Sequence, residues 1–180
     1  MNKKQLLKLF QHRVSELAVG SSALRNQGAK EVIKISRVYF DSLNLTSFVK
    51  QNEIDFKKRL NSATKRLVNR LPEGAKNWGT ARKALNLFLR DVLYNSYLSK
   101  NYSFRKIEKY LEVPLDSFVI KGIKNDSKGN SLPKWKGIKY LKSEDSKIFQ
   151  SKAKEIAKGK EIAKVHLDLL YWRPKVKKRT

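Results

Sequence analysis

Apolar residues recur at three- and four-residue spacing along most of this chain, which is the periodicity of amphipathic α-helices. The pattern predicts a first helix over about Lys4 to Ala18 and a second over about Val32 to Leu43. It predicts a basic amphipathic helix from about Asn52 to Asn69, and a late helix that begins near Ser143. Because the segments contain no convincing strand pair, we expect an all-α fold, a compact helical domain.

The most apolar segment runs from Ala84 to Leu98, and the main polar residues that interrupt it are Asn86, Arg90, Asp91 and Asn95. A helix that is apolar on nearly every side is typical of the centre of a domain. We therefore expect the other helices to pack around this one.

The residues that open this central helix are Gly79, Thr80, Ala81, Arg82 and Lys83. Backbone N–H groups at a helix N-terminus lack partners and carry partial positive charge, and a glycine there allows a phosphate to approach closely. The stretch predicts a helix start that faces phosphate. The alternative is an ordinary basic helix start with no ligand.

A second stretch, Val113 to Gly122, lies downstream and contains Pro114, Leu115 and Asp116. Residues 79–84 resemble the second half of the hairpin in helix-hairpin-helix DNA glycosylases of the endonuclease III type, L-P-G-V-G-R-K-T-A, and the downstream stretch resembles their P-V-D-T-H-V segment. In that family the hairpin binds the DNA backbone, its lysine attacks the sugar, and the aspartate is catalytic. The resemblance implies that Lys83 and Asp116 are catalytic, with phosphate contacts at Gly79 and its neighbours through Arg82.

The match departs from the family in two places. Leu71-Pro72 is separated from Gly79 by an insertion, and the spacing from Lys83 to Asp116, 116 − 83 = 33 residues, is longer than the family's. Lys76 and Lys100 therefore remain alternative nucleophiles. Asp116 also has a purely structural alternative, since its carboxylate is suited to cap the following helix.

Two further segments extend the resemblance along the chain. Leu24-x-x-Gln27 resembles the family's L-x-x-Q stretch, which implies that Gln27 wedges into the gap left by an extruded nucleotide; the alternative is an exposed turn residue. The segment from Val165 to Arg173 resembles the last helix of the catalytic domain, which packs back on the start of the chain. We assign its His166 and Asp168 to helix packing and to polarity that faces DNA.

The charge of the chain indicates a polyanionic partner. Its 180 residues carry 41 Lys+Arg against 16 Asp+Glu, a formal net charge of +25. No segment approaches the roughly 18 consecutive apolar residues of a membrane span, and no secretory signal is evident, so we expect a cytoplasmic, nucleoid-associated protein without a membrane partner. The absence of cysteine excludes disulfides and cysteine-ligated clusters, and two histidines are too few for a metal set, so we expect no metal and no cofactor.

Aromatic and cationic residues alternate late in the chain. Trp135 and Tyr140 stand among four lysines at 134, 136, 139 and 142, after a stretch from Lys124 to Pro133 that is rich in turn formers and predicts a surface loop. Aromatics interleaved with cations suit base stacking, but large aromatics are mostly buried, and we favour core packing for Trp135.

These observations predict one helical, glycosylase-like domain with a single core over residues 1–173 and a basic tail over 174–180. The expected function is a DNA glycosylase that removes a damaged or modified base after nucleotide flipping, with associated AP-lyase activity through Lys83 and Asp116. The expected partner is double-stranded DNA with a flipped nucleotide, bound by a monomer. The alternative function is a non-enzymatic basic helical protein that binds nucleic acid; a nuclease is disfavoured because clustered carboxylates are lacking.

Overall fold

The computed structural model describes residues 1–24, 27, 31–127 and 132–172. Over these residues every regular element is a helix, and no strand is present, which confirms the all-α prediction. The α-helices are α1 (Lys3–Ala18), α2 (Glu31–Asp41), α3 (Glu53–Arg70), α4 (Trp78–Tyr94), α5 (Ser96–Asn101), α6 (Ser117–Asp126), α7 (Ser143–Gly159) and α8 (Leu167–Tyr171). Short 3₁₀ helices cover Leu45–Phe48, Phe104–Tyr110, Ile138–Tyr140 and Lys164–His166.

Five of the α-helices begin at an Asn or Asp whose side chain accepts backbone N–H groups of the first turn. These residues are Asn2, Asn52, Asn77, Asn95 and Asp116. The first-turn N–H groups of a helix have no partner within the helix, so a side-chain oxygen at this position stabilises the start, typically by about 1 kcal/mol. The sequence therefore defines these helix starts locally.

The central helix is α4, as the apolar pattern predicts. Every residue from Gly79 to Leu89 is buried, and the helix contacts α1, α2, α3 and α5. The rings of Phe40 and Phe88 stack with centroids 4.6 Å apart. The helix ends at Tyr94, because Asn95 leaves the helical conformation and caps α5, so the predicted single helix to Leu98 is in fact two helices.

The buried apolar residues form two clusters where we expected a single core. The first is built from α1 to α5 and the chain up to Leu111, and Val165 also belongs to it. The second contains Val113 and Leu115 with apolar residues of α6, α7 and α8. Buried charged groups lie between them: Arg82 Nε on α4 is 3.2 Å from Glu112 Oε2. A buried charge is costly unless an oppositely charged or hydrogen-bonding group lies next to it. The pair of Arg82 and Glu112 therefore interrupts the apolar contact between the two clusters.

Two close glycine contacts show where elements around the second cluster pack most tightly. A Cβ at Gly79 would lie 2.0 Å from the carbonyl oxygen of Ile138, so the 3₁₀ helix Ile138–Tyr140 covers the start of α4. A Cβ at Gly122 on α6 would lie 2.2 Å from Cδ1 of Tyr171, so α8 packs directly on α6. This packing differs from the expected packing of the last helix on the start of the chain; α6 is the main partner of α8.

Other boundaries shift by smaller amounts. The predicted helix near Ser103 to Leu111 is a 3₁₀ helix, Phe104–Tyr110. The helix α6 continues to Asp126, into the segment predicted as a loop, and part of that loop falls outside the described residues. The predicted basic tail, 174–180, also falls outside them. Within the described residues, no helix has the length and apolar character needed to cross a membrane.

Candidate active site

One face of α4 presents polar side chains to a cavity. Five residues of α4 follow one another at helical spacing and therefore share this face. They are Lys83, Leu87, Arg90, Asp91 and Tyr94, and all five line the cavity. The cavity has a volume of about 810 Å³. Pockets that hold small ligands typically measure about 300–1,000 Å³, so a nucleotide-sized group fits.

Lys83 lies at the inner wall of this cavity and is buried. Its Nζ donates a hydrogen bond of 2.8 Å to the carbonyl oxygen of Ala23 and lies 3.5 Å from Oδ2 of Asp116. Burial lowers the pKa of Lys83, and Asp116 opposes this by favouring the charged ammonium. The amine is therefore closer to its neutral form than a lysine in water.

Asp116 uses its two carboxylate oxygens differently. Oδ1 accepts hydrogen bonds from the backbone N–H groups of Phe118 and Val119, at 2.9 Å and 3.0 Å, and so caps α6. Oδ2 faces Lys83. The helix cap holds the carboxylate in place, which means that the structural and the catalytic interpretations of this residue are compatible. The chain brings these two predicted residues together across 116 − 83 = 33 positions.

A second charged group borders the first. Arg90 forms ion pairs with Asp91, at 2.7 Å, and with the buried Asp168 of α8. Burial raises the pKa of Asp168, while Arg90 lowers it by favouring the carboxylate and Asp116 adds a further upward contribution. The guanidinium of Arg90 thus links α4 to α8 and fixes one side of the cavity.

Tyr94 is the last residue of α4 and the last of its residues that line the cavity. Its hydroxyl lies 3.0 Å from Nδ1 of His166, whose Nε2 lies 2.6 Å from a carboxylate oxygen of Glu108. Burial raises the pKa of Tyr94 to about 12, so the phenol stays protonated at neutral pH. His166 therefore packs among polar groups beside the cavity, which agrees with the packing role that the sequence predicts for it. Asp168 lines the cavity itself.

The mouth of the cavity is apolar and aromatic. Phe118 is 52% exposed and Trp172 is 58% exposed, and both line the opening together with Leu17 and Leu169. Trp135 is half-buried, with its ring edge-on to Phe149 at 6.2 Å, so it packs on the second cluster while one side faces the cavity. Exposed rings at the mouth of a cavity suit a flat, aromatic ligand.

The four residues predicted to contact phosphate lie inside the protein. Gly79, Thr80, Ala81 and Arg82 are all buried, beneath the 3₁₀ helix Ile138–Tyr140 and against the first cluster. The backbone N–H of Thr80 donates to Asn77 Oδ1 at 2.9 Å, so the first turn of α4 is already capped. Because these four residues are buried, the structure shows no exposed surface on them for a DNA phosphate, and the predicted contacts stay a prediction.

Arg82 has a structural environment of its own. Its guanidinium donates to Thr64 Oγ1 at 2.8 Å and to Asn61 Oδ1, and it lies 4.8 Å from the ring centroid of Trp78. Its Nε is close to Glu112 but not aligned for a hydrogen bond. Burial lowers the pKa of Arg82, and Glu112 opposes the shift. This arginine joins α3, α4 and the second cluster.

Gln27 lies in the cavity wall and is 9% exposed. Its Oε1 accepts a hydrogen bond of 2.5 Å from Thr80 Oγ1. The predicted wedge is therefore held against α4 in this structure, next to the predicted active site and not at the surface. The other predicted nucleophiles lie elsewhere: Lys76 and Lys100 are exposed, and neither lines the cavity.

Sequence reasoning missed Arg90, Asp91 and Tyr94 as members of the site. Their spacing from Lys83 along a predicted helix places them on its face, so this signal was present in the sequence. Asp168 had no comparable local signal, because only the tertiary fold brings α8 to α4. Among the described residues, no group of three or more His, Cys, Asp or Glu side chains is arranged to hold a metal ion.

Comparison with known proteins gives no match for this chain among protein families, curated sequences or solved structures. The turn 71–77 joins α3 to α4, with Gly74 at φ +80°. That turn is where a helix-hairpin-helix element is expected, and the assignment of one stays a prediction.

Proposed function

We propose that this protein is a DNA glycosylase that receives an extruded nucleotide in the cavity and uses Lys83 as the amine nucleophile. One observation carries the proposal: a buried lysine of lowered pKa faces a fixed carboxylate inside a nucleotide-sized cavity. Perturbed ionisable groups in a cleft are typical of catalytic sites. The net charge of +25 supports DNA as the carrier of the substrate.

The chemistry balances with the groups present. The neutral amine of Lys83 attacks C1′ of the deoxyribose, and the electron pair of the C1′–N glycosidic bond leaves with the base. The C1′–O4′ bond then breaks as a C1′=N imine forms. The amine gives up two protons in total, one to the released base and one to O4′. The Asp116 carboxylate favours the positive charge that develops on the sugar and accepts the amine proton in transit.

Asp116 and Arg90 have separate roles in this proposal. Asp116 touches the nucleophile directly, so it is a catalytic residue. Arg90 is a positioning residue, because it forms ion pairs with Asp91 and Asp168. Asp116 therefore remains the ion-pair partner of Lys83. Base removal requires the nucleotide to leave the duplex, and the aromatic mouth offers a surface on which the extruded base is able to stack.

Borohydride trapping tests the nucleophile. Duplexes that carry abasic sites and a panel of damaged or modified bases are incubated with the protein, and the imine is reduced to a stable adduct. We expect an adduct with the parent protein and none with Lys83→Gln, while both bind DNA. The matched control is Lys76→Gln, which removes the same charge from an exposed lysine that pairs with Glu73, and which should form the adduct normally.

Two outcomes contradict the lysine nucleophile. An adduct in Lys83→Gln would show that another residue supplies the nucleophilic amine. Base release by the parent protein without any adduct would indicate a water nucleophile directed by Asp116. Asp116→Asn keeps an oxygen for the α6 cap, so it should fold and bind DNA but lose base excision. Excision by that variant at the parent rate would remove Asp116 from the mechanism.

The second candidate is a nucleic-acid-binding protein without enzymatic activity. The hydrogen bond from Lys83 to the carbonyl oxygen of Ala23 favours it. This bond and the Asp116 pair give the lysine an ordinary structural role, in which it holds α4 to α6 and to the segment that follows α1. No base release on any substrate, with DNA binding intact, would select this function.

A further inference from the structure

A second cavity lies on the other side of the segment that carries Trp135 and Gly137. Its volume is about 750 Å³, and its walls are the start of α4, the segment 134–142 and the start of α7. Trp135 and Gly137 line both cavities, so the segment separates them as a thin wall. The proposed excision chemistry uses nothing from this second cavity.

The rim of the second cavity is strongly basic. Four exposed lysines line it, Lys134, Lys136, Lys139 and Lys142, and the one carboxylate in the lining is Asp145. Within the part of the chain that the structure describes, none of the four lysines forms an ion pair. Unpaired cations around a concave surface attract a polyanion, since they neutralise its charge and release its counterions.

Aromatic rings line the same cavity. Tyr140 is 63% exposed, on the 3₁₀ helix Ile138–Tyr140. Trp78 is half-buried, and its ring is already covered on one side by the guanidinium of Arg82 at 4.8 Å. Trp135 packs edge-on against Phe149. Tyr140 is therefore the ring with the most open surface for a ligand.

We propose that this second cavity binds a single-stranded segment of nucleic acid, with a base stacked on Tyr140 and the adjacent phosphates on the four lysines. Grooves that bind single strands combine a cationic lining with aromatic side chains, because every base has a π-face but only an unpaired base exposes it. The faces of paired bases are covered by their neighbours in a duplex, and a ring inside a concave groove cannot reach them. The site does not depend on base excision in the first cavity.

The first test measures the stacking contact with a fluorescein-labelled oligothymidylate longer than the roughly 4–16 nucleotides that such grooves cover. Fluorescence anisotropy gives its dissociation constant. We expect Tyr140→Ala to weaken binding by roughly 5- to 150-fold, the range observed for single base–aromatic stacks. Tyr140→Phe keeps the ring and should bind as the parent does. Equal binding by the Ala, Phe and parent proteins would overturn the stacking site.

The second test locates the phosphate contacts. A variant with Gln in place of Lys134, Lys136, Lys139 and Lys142 should make the slope of log K against log salt less steep by about 3, since each single-strand phosphate contributes about 0.7. The matched control replaces four exposed lysines on α1 and α2, Lys3, Lys4, Lys8 and Lys34, and removes the same net charge. An equal effect of the two variants would show that binding is diffuse and would overturn the assignment.

A competition experiment separates single-strand binding from general affinity for DNA. The parent protein with labelled oligothymidylate is titrated with an unlabelled blunt duplex of equal phosphate concentration. We expect the duplex to displace the oligonucleotide from the parent less effectively than unlabelled oligothymidylate does. We expect Tyr140→Ala to abolish this difference. A duplex that competes as well as the single strand would overturn the proposal.

Discussion

The pair formed by Lys83 and Asp116 shows how burial and a neighbouring charge act in opposite directions on one amine. Burial lowers the pKa of Lys83, and Asp116 raises it. A nucleophilic amine must be neutral, whereas an ion pair holds it in position when it is charged. In the proposed mechanism, the balance of the two effects sets the pH at which the amine of Lys83 becomes nucleophilic.

We expect the rate of imine trapping to increase with pH and to level off above the pKa of Lys83, because the neutral fraction of the amine increases as its proton is lost. In Asp116→Asn the carboxylate that raises this pKa is absent, so the rising part of the profile should shift to lower pH, with a lower plateau. Single-turnover trapping on duplexes that carry abasic sites, which need no base excision, measures both features across a pH series.

The control for this profile is Asp145→Asn, because Asp145 lies in the second cavity and does not contact Lys83. Its profile should superimpose on that of the parent. A rising part that stays in place, or that shifts to higher pH, in Asp116→Asn would show that this carboxylate does not control the amine.

The sequence predicts that Lys83 and Asp116 act together, and the structure places Nζ of Lys83 3.5 Å from Oδ2 of Asp116. That prediction rests on the two motifs that resemble the glycosylase family, and neither motif predicts the residues that surround the pair. The first motif also predicts phosphate contacts for Gly79 and Arg82. Both residues are buried in the structure, and the local sequence does not reveal that Ile138 covers the start of α4. Asp168 reaches the site only through the packing of α8 on α6.

At the element scale, α4 presents three different surfaces. One surface supplies apolar residues such as Ala84 and Phe88 to the first cluster, another carries Arg82 and Asn86 towards Glu112, and a third lines the cavity from Lys83 onwards. Because every residue from Gly79 to Leu89 is buried, little of the helix faces bulk solvent, which explains why its apolar pattern is so nearly continuous. Small residues at its start allow the 3₁₀ helix Ile138–Tyr140 to approach.

Gly79→Ala should reduce the free energy of unfolding by about 1–3 kcal/mol, since the added methyl group would meet the carbonyl oxygen of Ile138 and force the backbones apart. Gly159→Ala is the matched control: a Cβ there meets nothing within 4 Å, so stability should increase by about 0.4–1 kcal/mol. Urea unfolding measures both. An equally stable Gly79→Ala protein would show that Ile138 does not pack so closely on α4.

Most helices could be predicted from periodicity and capping residues, because both signals are local. The periodicity predicts α1, α3 and α7 to within two residues of their observed starts. The division of the core was not predictable in this way. It depends on which polar residues of α4 face Glu112, and contacts between residues far apart in the chain determine this.

At the scale of the whole molecule, positive charge dominates. The excess of 25 positive charges, 41 − 16, destabilises the compact state by mutual repulsion and attracts polyanions over long distances. The second cavity concentrates four of these charges at one rim, beside the cavity that holds Lys83. The two cavities therefore lie next to each other, on either side of the segment that carries Trp135 and Gly137.

Duplex binding should be tolerant of sequence and should weaken steeply with salt, because each neutralised phosphate releases counterion. With 6–10 phosphate contacts, the affinity should decrease by about 10³- to 10⁵-fold between 50 and 200 mM salt. Titrations of one labelled duplex at several salt concentrations give the slope. A flat log–log plot would remove the electrostatic basis of DNA binding.

The wall of the first cavity contains Leu17 and Ala18 from α1 and Leu169 and Trp172 from the end of the described chain. During synthesis on the ribosome, Lys83 and Asp116 emerge long before α8 does. Under the proposed mechanism, a nascent chain would therefore contain the nucleophile and its carboxylate without Asp168 or the aromatic mouth of the cavity. Translation that stops before α8 would leave the cavity without the part of its wall that Asp168, Leu169 and Trp172 form.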